Sequence, residues 1–214
     1  MSDFLTKHLI HQDEDFIVIH KPAGLLSVPG RGDALYDSVL TRLVAVEPKT
    51  LLIHRLDRDT SGILVFALTR LGQNRISKQF QLRETTKTYQ AIVAGHIYDK
   101  GTIDIPVIYD ETRPPLHIVD QTHSKQALTH WSALEQFEIN GYPVTRIKLV
   151  PITGRAHQLR VHMQYLGHPI IGDTLYADAE QQQLKDRLCL HAYQLGFKHP
   201  KTEHVLHFEC PVPF

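Results

Sequence analysis

Residues 63–68 read Ile-Leu-Val-Phe-Ala-Leu, an apolar run with no polar interruption. It falls far short of the ~18 residues of a membrane span. Its length and its β-branched and aromatic content suit a buried strand. A chain holding such a strand must cover it with other elements. At 42% hydrophobic residues over 214 positions, this one has the material for a core.

Other runs place the remaining elements. Residues 16–20 (Phe-Ile-Val-Ile-His) and 88–94 are further strands. Residues 21–32 form a loop, punctuated by Pro22, Gly24, Pro29, Gly30 and Gly32. Leu35, Val39, Leu43 and Val46 recur at helical spacing up to Pro48. Residues 70–83 are amphipathic, with Leu71, Ile76 and Phe80 beside bases, and Leu159, Met163 and Leu166 form a stripe over 156–166. Strand patterns occupy 102–107, 127–134, 144–150, 189–197 and 205–208. Strands dominate, about three helices are interspersed, and several connections are short. The expectation is an α+β fold with a mainly antiparallel sheet, as one domain or two tightly packed lobes.

Several classes of function fall away. Lys+Arg 23 cancels Asp+Glu 23, so the chain is neither a polycation nor an acidic tail protein. Cys189 and Cys210 make no CxxC pair and are expected as reduced, buried thiols. No signal region opens the chain at Met1-Ser2-Asp3-Phe4-Leu5 and no membrane span follows, which reads as soluble and cytoplasmic. There is no Gly-x-Gly-x-x-Gly, P-loop or Gly-x-Ser-x-Gly. His157 and His162 are five apart and His162 and His168 six apart. Neither is the i, i+4 spacing of a helical metal pair, and His199, His204 and His207 read as surface residues, so no metal is expected.

The charge is nevertheless segregated. Residues 54–90 carry seven bases and three acids, and residues 141–160 carry Arg146, Lys148, Arg155 and Arg160 with no acid. If the fold joined these blocks, they would attract phosphate.

Two segments concentrate chemistry. His54-Arg55-Leu56-Asp57-Arg58-Asp59-Thr60-Ser61-Gly62 stands at the mouth of the buried strand, where a rigid scaffold presents reactive groups. Arginines at 55 and 58 favour an ionised Asp57, and an ionised carboxylate is a usable nucleophile. The same stretch also reads as an Asp-capped turn. Thr153-Gly154-Arg155-Ala156-His157-Gln158-Leu159-Arg160-Val161-His162 runs from a turn into a helix whose first turns carry bases. Such a start favours an anion, either phosphate or a carboxylate such as Asp57.

Together with Lys87-x-Tyr89-x-Ala91 and Lys21-Pro22-x-Gly24, these segments resemble the RluA family of pseudouridine synthases. His-Arg-Leu-Asp before Thr-Ser-Gly looks like the catalytic motif and Lys-x-Tyr-x-Ala like the base-stacking motif. Thr-Gly-Arg-x-His-Gln-Leu-Arg-x-His, continuing to Leu166-Gly167-His168-Pro169-Ile170-Ile171-Gly172-Asp173, looks like a third. They run in the family's order from about residue 13 to the C-terminus.

The resemblance implies a pseudouridine synthase fold, with an antiparallel mixed sheet flanked by helices and a central cleft. It implies a single catalytic domain over 1–214 without a separate N-terminal RNA-binding domain. It implies an isomerase that needs no cofactor or metal: the N1–C1′ bond of a uridine in RNA breaks, the uracil rotates, and C5 bonds to C1′. Asp57 is then the essential carboxylate, Tyr89 stacks on the uracil, and Arg160 pairs with Asp57. Arg55 fills the gap left by the flipped base and Leu159 packs beneath it. His54, Arg155 and His157 are RNA-contacting residues. Residues 21–31 and the short length look most like the family's dual-specificity member, acting as a monomer on 23S rRNA and on the tRNA anticodon stem-loop. A member acting on only one of these RNAs is the alternative. Two other readings remain open: a glycoside hydrolase using Asp57 and Asp59, which an extended strand would set roughly 7 Å apart, and an RNA-binding module without activity.

Overall fold

The computed structural model describes residues 3–214; Met1 and Ser2, part of the stretch read above for a signal, lie outside the described residues. In chain order the elements are α1 (Asp3–His8), β1 (Leu9–Gln12), β2 (Phe16–Lys21), a 3-10 turn (Asp33–Leu35), α2 (Val39–Val44), β3 (Leu51–Leu52), β4 (Ser61–Ala67), α3 (Arg70–Leu82), β5 (Thr86–Ala94), β6 (Lys100–Asp104), β7 (Val107–Tyr109), β8 (His117–Val119), β9 (Leu128–Ile139), β10 (Tyr142–Pro151), α4 (Gln158–Tyr165), α5 (Ala179–Gln183), β11 (Leu190–Lys198) and β12 (Val205–Glu209). The class is α+β with a mostly antiparallel sheet, as expected: β2–β4, β5–β10, β9–β10, β6–β9 and β11–β12 all pair antiparallel. Two compact units are distinguished: residues up to Lys87 with Ala192–Pro213, and Thr88–His191 with Phe214.

In the first unit β4 is the pivot. All seven of its residues are buried, which is why the run at 63–68 shows no alternation. It pairs with β2 from Phe16 opposite Ala67 to Lys21 opposite Gly62, and it neighbours β11, which in turn carries β12. Phe16 and Val18 of β2, Ile63 and Val65 of β4, and Leu195 and Phe197 of β11 point to one face. There they meet Ile76 of α3, with Phe80 packed alongside. Thr69 starts α3 as its N-cap, its side chain accepting from the Gly72 N–H. Helix α2 is shorter than the 35–46 periodicity suggested. Ser38 and Thr41 form a reciprocal capping box, so the helix begins after Ser38 and leaves Leu35 and Val46 exposed.

In the second unit the order is β5-β10-β9-β6. Strands β9 and β10 are longer than 127–134 and 144–150, and they join through Asn140-Gly141, both at positive φ. That dipeptide is the turn type matching the strands' twist. The run at 102–107 is cut at Pro106, with β6 before it and β7 after it. Leu159 and Met163 of α4 enter the core with Ile92, Val93, Ile147 and Leu149, while Val161 packs with Val107 and Tyr176 on another side. Every residue from Gln158 to Met163 is buried.

Candidate active site

In the first unit the segment 54–60 is an irregular loop feeding β4. Asp57 is half-buried at its centre, and Arg55 and Arg58 are exposed. Arg58 is engaged with Asp59, Nε to Oδ1 at 3.0 Å, so Asp59 has a cationic partner of its own, which weakens the paired-carboxylate hydrolase reading. Gly62 is fixed by sterics: its φ is +117°, and a Cβ there would collide with the Ala192 backbone. The Lys21 side chain is fully buried. Its ammonium donates to three carbonyls, those of Pro22 (2.9 Å), Leu25 (2.6 Å) and Arg58 (2.7 Å). The loop after β2 and the loop around Asp57 are thereby tied through one charge.

His54, expected as an RNA contact, is a brace for this loop. Its Nε2 accepts from the Val65 N–H at 3.2 Å, and its ring stacks on Phe80 at 4.4 Å. Burial drives the imidazole down to about 3, helped by the nearby Lys87 ammonium. A neutral acceptor is the form that the Val65 bond requires. Burial, and then Arg83, also lower the Lys87 ammonium from its ordinary value.

In the second unit Tyr89 lies on β5 opposite Leu149 of β10. It is half-buried against the cluster that contains Leu159, itself 7% exposed. The turn into α4 is built by two buried polar residues. Thr153 Oγ1 donates to Gln158 Oε1 (2.8 Å), which also accepts from the Arg155 N–H (3.0 Å). Gln158 Nε2 reaches back to Leu128 O (3.1 Å) and Thr129 Oγ1 (3.0 Å). Arg155 itself is exposed, with Nε on Gln126 O at 3.2 Å.

His157 caps α4 in the left-handed region, φ 54°, an uncommon conformation for a residue other than glycine. Its Nδ1 lies 2.7 Å from the Tyr176 hydroxyl, which accepts from the His117 N–H at 2.9 Å. The Tyr176 hydroxyl thus links the His157 ring to the His117 backbone. Arg160 is 3% exposed and grips Asp173 in a bidentate pair, Nε to Oδ2 at 2.7 Å and Nη2 to Oδ1 at 2.6 Å. Its guanidinium carbon sits 5.1 Å from the centre of the Tyr176 ring.

Sequence reasoning named Lys21, Thr153, Gln158 and Asp173 as motif residues without giving them a supporting role, and it did not single out Tyr176. Asp173 had a signal. An arginine on a buried helical stripe needs a carboxylate, and Asp173 closes the same motif.

Asp13, Asp15 and His199 bring ligand atoms within 4.8 Å of one another, a grouping of metal-binding type. Their hydrogen bonds describe an internal network instead. His199 Nδ1 accepts from the N–H groups of Lys201 and Thr202, so its Nε2 carries the proton donated to Asp13, and the Lys201 ammonium sits 2.9 Å from Asp15. His199 is accordingly a half-buried partner of Asp13 rather than a simple surface residue. Cys189 and Cys210 are buried and not disulfide-bonded, and burial pushes both thiols up to about 11. Among the described residues no helix is long and apolar enough to cross a membrane.

The α+β scaffold with its mostly antiparallel sheet agrees with one class. Residues 15–165 match the family model for RNA pseudouridylate synthase, and the chain belongs to that family. It is a pseudouridine synthase, an isomerase that converts uridine in RNA to pseudouridine. Among individual proteins it is 44% identical over 207 residues to the dual-specificity RNA pseudouridine synthase RluA of Pasteurella multocida, covering 96% of this chain and 93% of that one. The protein of the same name from Escherichia coli is 42% identical over 207 residues, with the same coverages. Of solved structures, human RNA pseudouridylate synthase domain containing 1 superposes with a TM-score of 0.82 at 30% identity, covering 96% of this chain and 83% of that one.

Proposed function

We propose that this chain is a dual-specificity enzyme that modifies uridines in 23S rRNA and in the anticodon stem-loop of tRNA. The observation that carries the reading is its identity of 42–44% over 96% of its length to proteins named for dual specificity. In this proposal residues 1–214 act as one catalytic domain, as a monomer, in the cytoplasm.

The target uridine swings out of its stack at a cost of a few kcal/mol, less in a loop than in a duplex. Exposed Arg55 takes the vacated space, its planar guanidinium able to stack and hydrogen-bond there. Tyr89 stacks on the uracil, with Leu159 as the apolar floor; their shared cluster supports that pairing. Asp57 is the essential carboxylate. Arg160, oriented by Asp173, is its positive partner. As the N1–C1′ bond breaks and C5 joins C1′, the C5 proton leaves and N1 gains one, so the product is an isomer.

Tritium release from RNA carrying 5-tritiated uridine tests the reading on an rRNA fragment and a tRNA stem-loop separately. Asp57→Asn is expected to abolish release while RNA binding stays within a few-fold. Unimpaired release by that variant overturns the assignment. Release from only one of the two RNAs overturns dual specificity and leaves the enzyme class standing.

A further inference from the structure

Asp57 is a side chain on an irregular loop, and such a loop holds a carboxylate in one place only if its backbone is held. The residue before it, Leu56, is held at both of its backbone groups by one side chain. Ser27 Oγ donates to the Leu56 carbonyl at 2.7 Å and accepts from the Leu56 N–H at 3.0 Å. Serine is 3% exposed there and Leu56 8%, so water does not compete for these bonds.

Ser27 is itself anchored. Its carbonyl accepts from the Leu40 N–H at 3.2 Å, and the Leu26 carbonyl accepts from the Val39 N–H at 2.8 Å. These are donors in the first turn of α2, which would otherwise lack an intrahelical partner. The start of α2 therefore fixes Ser27, and Ser27 fixes the peptide groups on which Asp57 hangs. A hydroxyl is the smallest group that both donates and accepts, which this reciprocal bond demands.

We infer that Ser27 is a positioning residue for the isomerisation: it sets where the Asp57 carboxylate stands without touching the RNA. This rests on the proposed role of Asp57. Losing the hydroxyl frees the Leu56 peptide groups, and a misplacement of about 1 Å in a reacting group can cost ~100-fold in rate.

The test compares the wild type with Ser27→Ala, Ser27→Cys, Asp57→Asn and Ile76→Val. Single-turnover rates, KM and RNA binding are measured well below each variant's melting temperature. Ser27→Ala is expected to lower the rate roughly 10- to 100-fold, with KM and RNA affinity within about threefold and faster hydrogen exchange at the Leu56 amide. Ser27→Cys, whose thiol is a weak donor and acceptor, is expected to fall between Ala and Ser. Ile76→Val thins the core of the same unit and is expected to lower melting temperature while sparing the rate.

A folded Ser27→Ala enzyme with wild-type rate, or one whose loss lies wholly in KM, overturns the inference while the inactive Asp57→Asn keeps the catalytic reading. Full activity of Asp57→Asn overturns both. Should the alanine variant not fold, the cysteine variant decides: a wild-type rate with rapid Leu56 exchange is the overturning result.

Discussion

Replacing Asp173 by Asn is a nearly isosteric change that removes one charge from a pair exposed by 3% and 0%. The wild-type carboxylate accepts four N–H groups: Arg160 Nε on Oδ2, and Arg160 Nη2, Leu175 N and Tyr176 N on Oδ1. An asparagine that keeps its oxygen at the Oδ1 position retains three of these bonds. Its NH2 then faces the Nε–H, donor against donor, and a buried guanidinium loses its counter-charge. Breaking a buried ion pair from one side costs about 3–5 kcal/mol. For a chain of this size ~3 °C is lost per kcal/mol, so the melting temperature should drop by roughly 10 °C. Calorimetry at neutral pH reads this directly, with Glu180→Gln, an exposed site of the same unit, as the control. Turnover at 25 °C, where the variant is still folded, should fall too, because the guanidinium is no longer aimed. A melting temperature within 2 °C of wild type, by a scale of ~3 °C per kcal/mol, would refute the reasoning that the Arg160 orientation depends on this carboxylate.

Acid stability should carry the imprint of His54, which stays neutral in the folded state down to about 3 and titrates near 6.5 when unfolded. Its contribution is complete above pH 6.5 and is lost as pH falls toward 3, by up to about 1.4 kcal/mol per pH unit. Urea midpoints between pH 7 and 4 should therefore fall less steeply in His54→Gln, and an unchanged slope would contradict the buried neutral assignment. Gly62→Ala should destabilise the first unit by more than the ~1 kcal/mol of an ordinary strand substitution, because the methyl meets the Ala192 backbone; wild-type melting would contradict that collision. Cys189 and Cys210 should resist an aromatic disulfide reagent at pH 7.5 in native protein and react after unfolding, and rapid native labelling would contradict their burial.

Local pattern was enough for elements whose burial is uniform or strictly periodic. Strands β2, β4, β5 and β11 fall within two residues of their apolar runs, and α3 follows its amphipathic stripe. Errors arose where a side chain overrides the pattern: the Ser38–Thr41 box shortens α2, and His157 delays α4 to Gln158. The long β9–β10 hairpin was legible in Asn140-Gly141, a signal left unused. Short elements with few apolar residues, such as α1, β3, β8 and α5, had no periodicity to read.

The catalytic candidates stood out because chemistry-bearing residues are clustered in sequence. Their supports did not, because a support is chosen by proximity in space. Lys21 and Arg58 are 37 residues apart, and Arg160 and Asp173 are 13 apart. His54 shows the converse: its place in a motif suggested contact with RNA, while its ring is committed to Val65 and Phe80.

The Lys21 ammonium closes a loop of 37 residues onto the Arg58 carbonyl without any covalent link. Unlike a cystine cross-link it leaves the unfolded chain unconstrained, because it is formed and released with folding itself, so the closure of that loop is an entropy cost met on folding, and the contact is indifferent to reductants. Its vulnerability is chemical of another kind. An acyl group on Nζ would erase the charge and leave too few hydrogens for three carbonyls, so acylating reagents, blind to Lys21 while the protein is folded, would trap any molecule caught open.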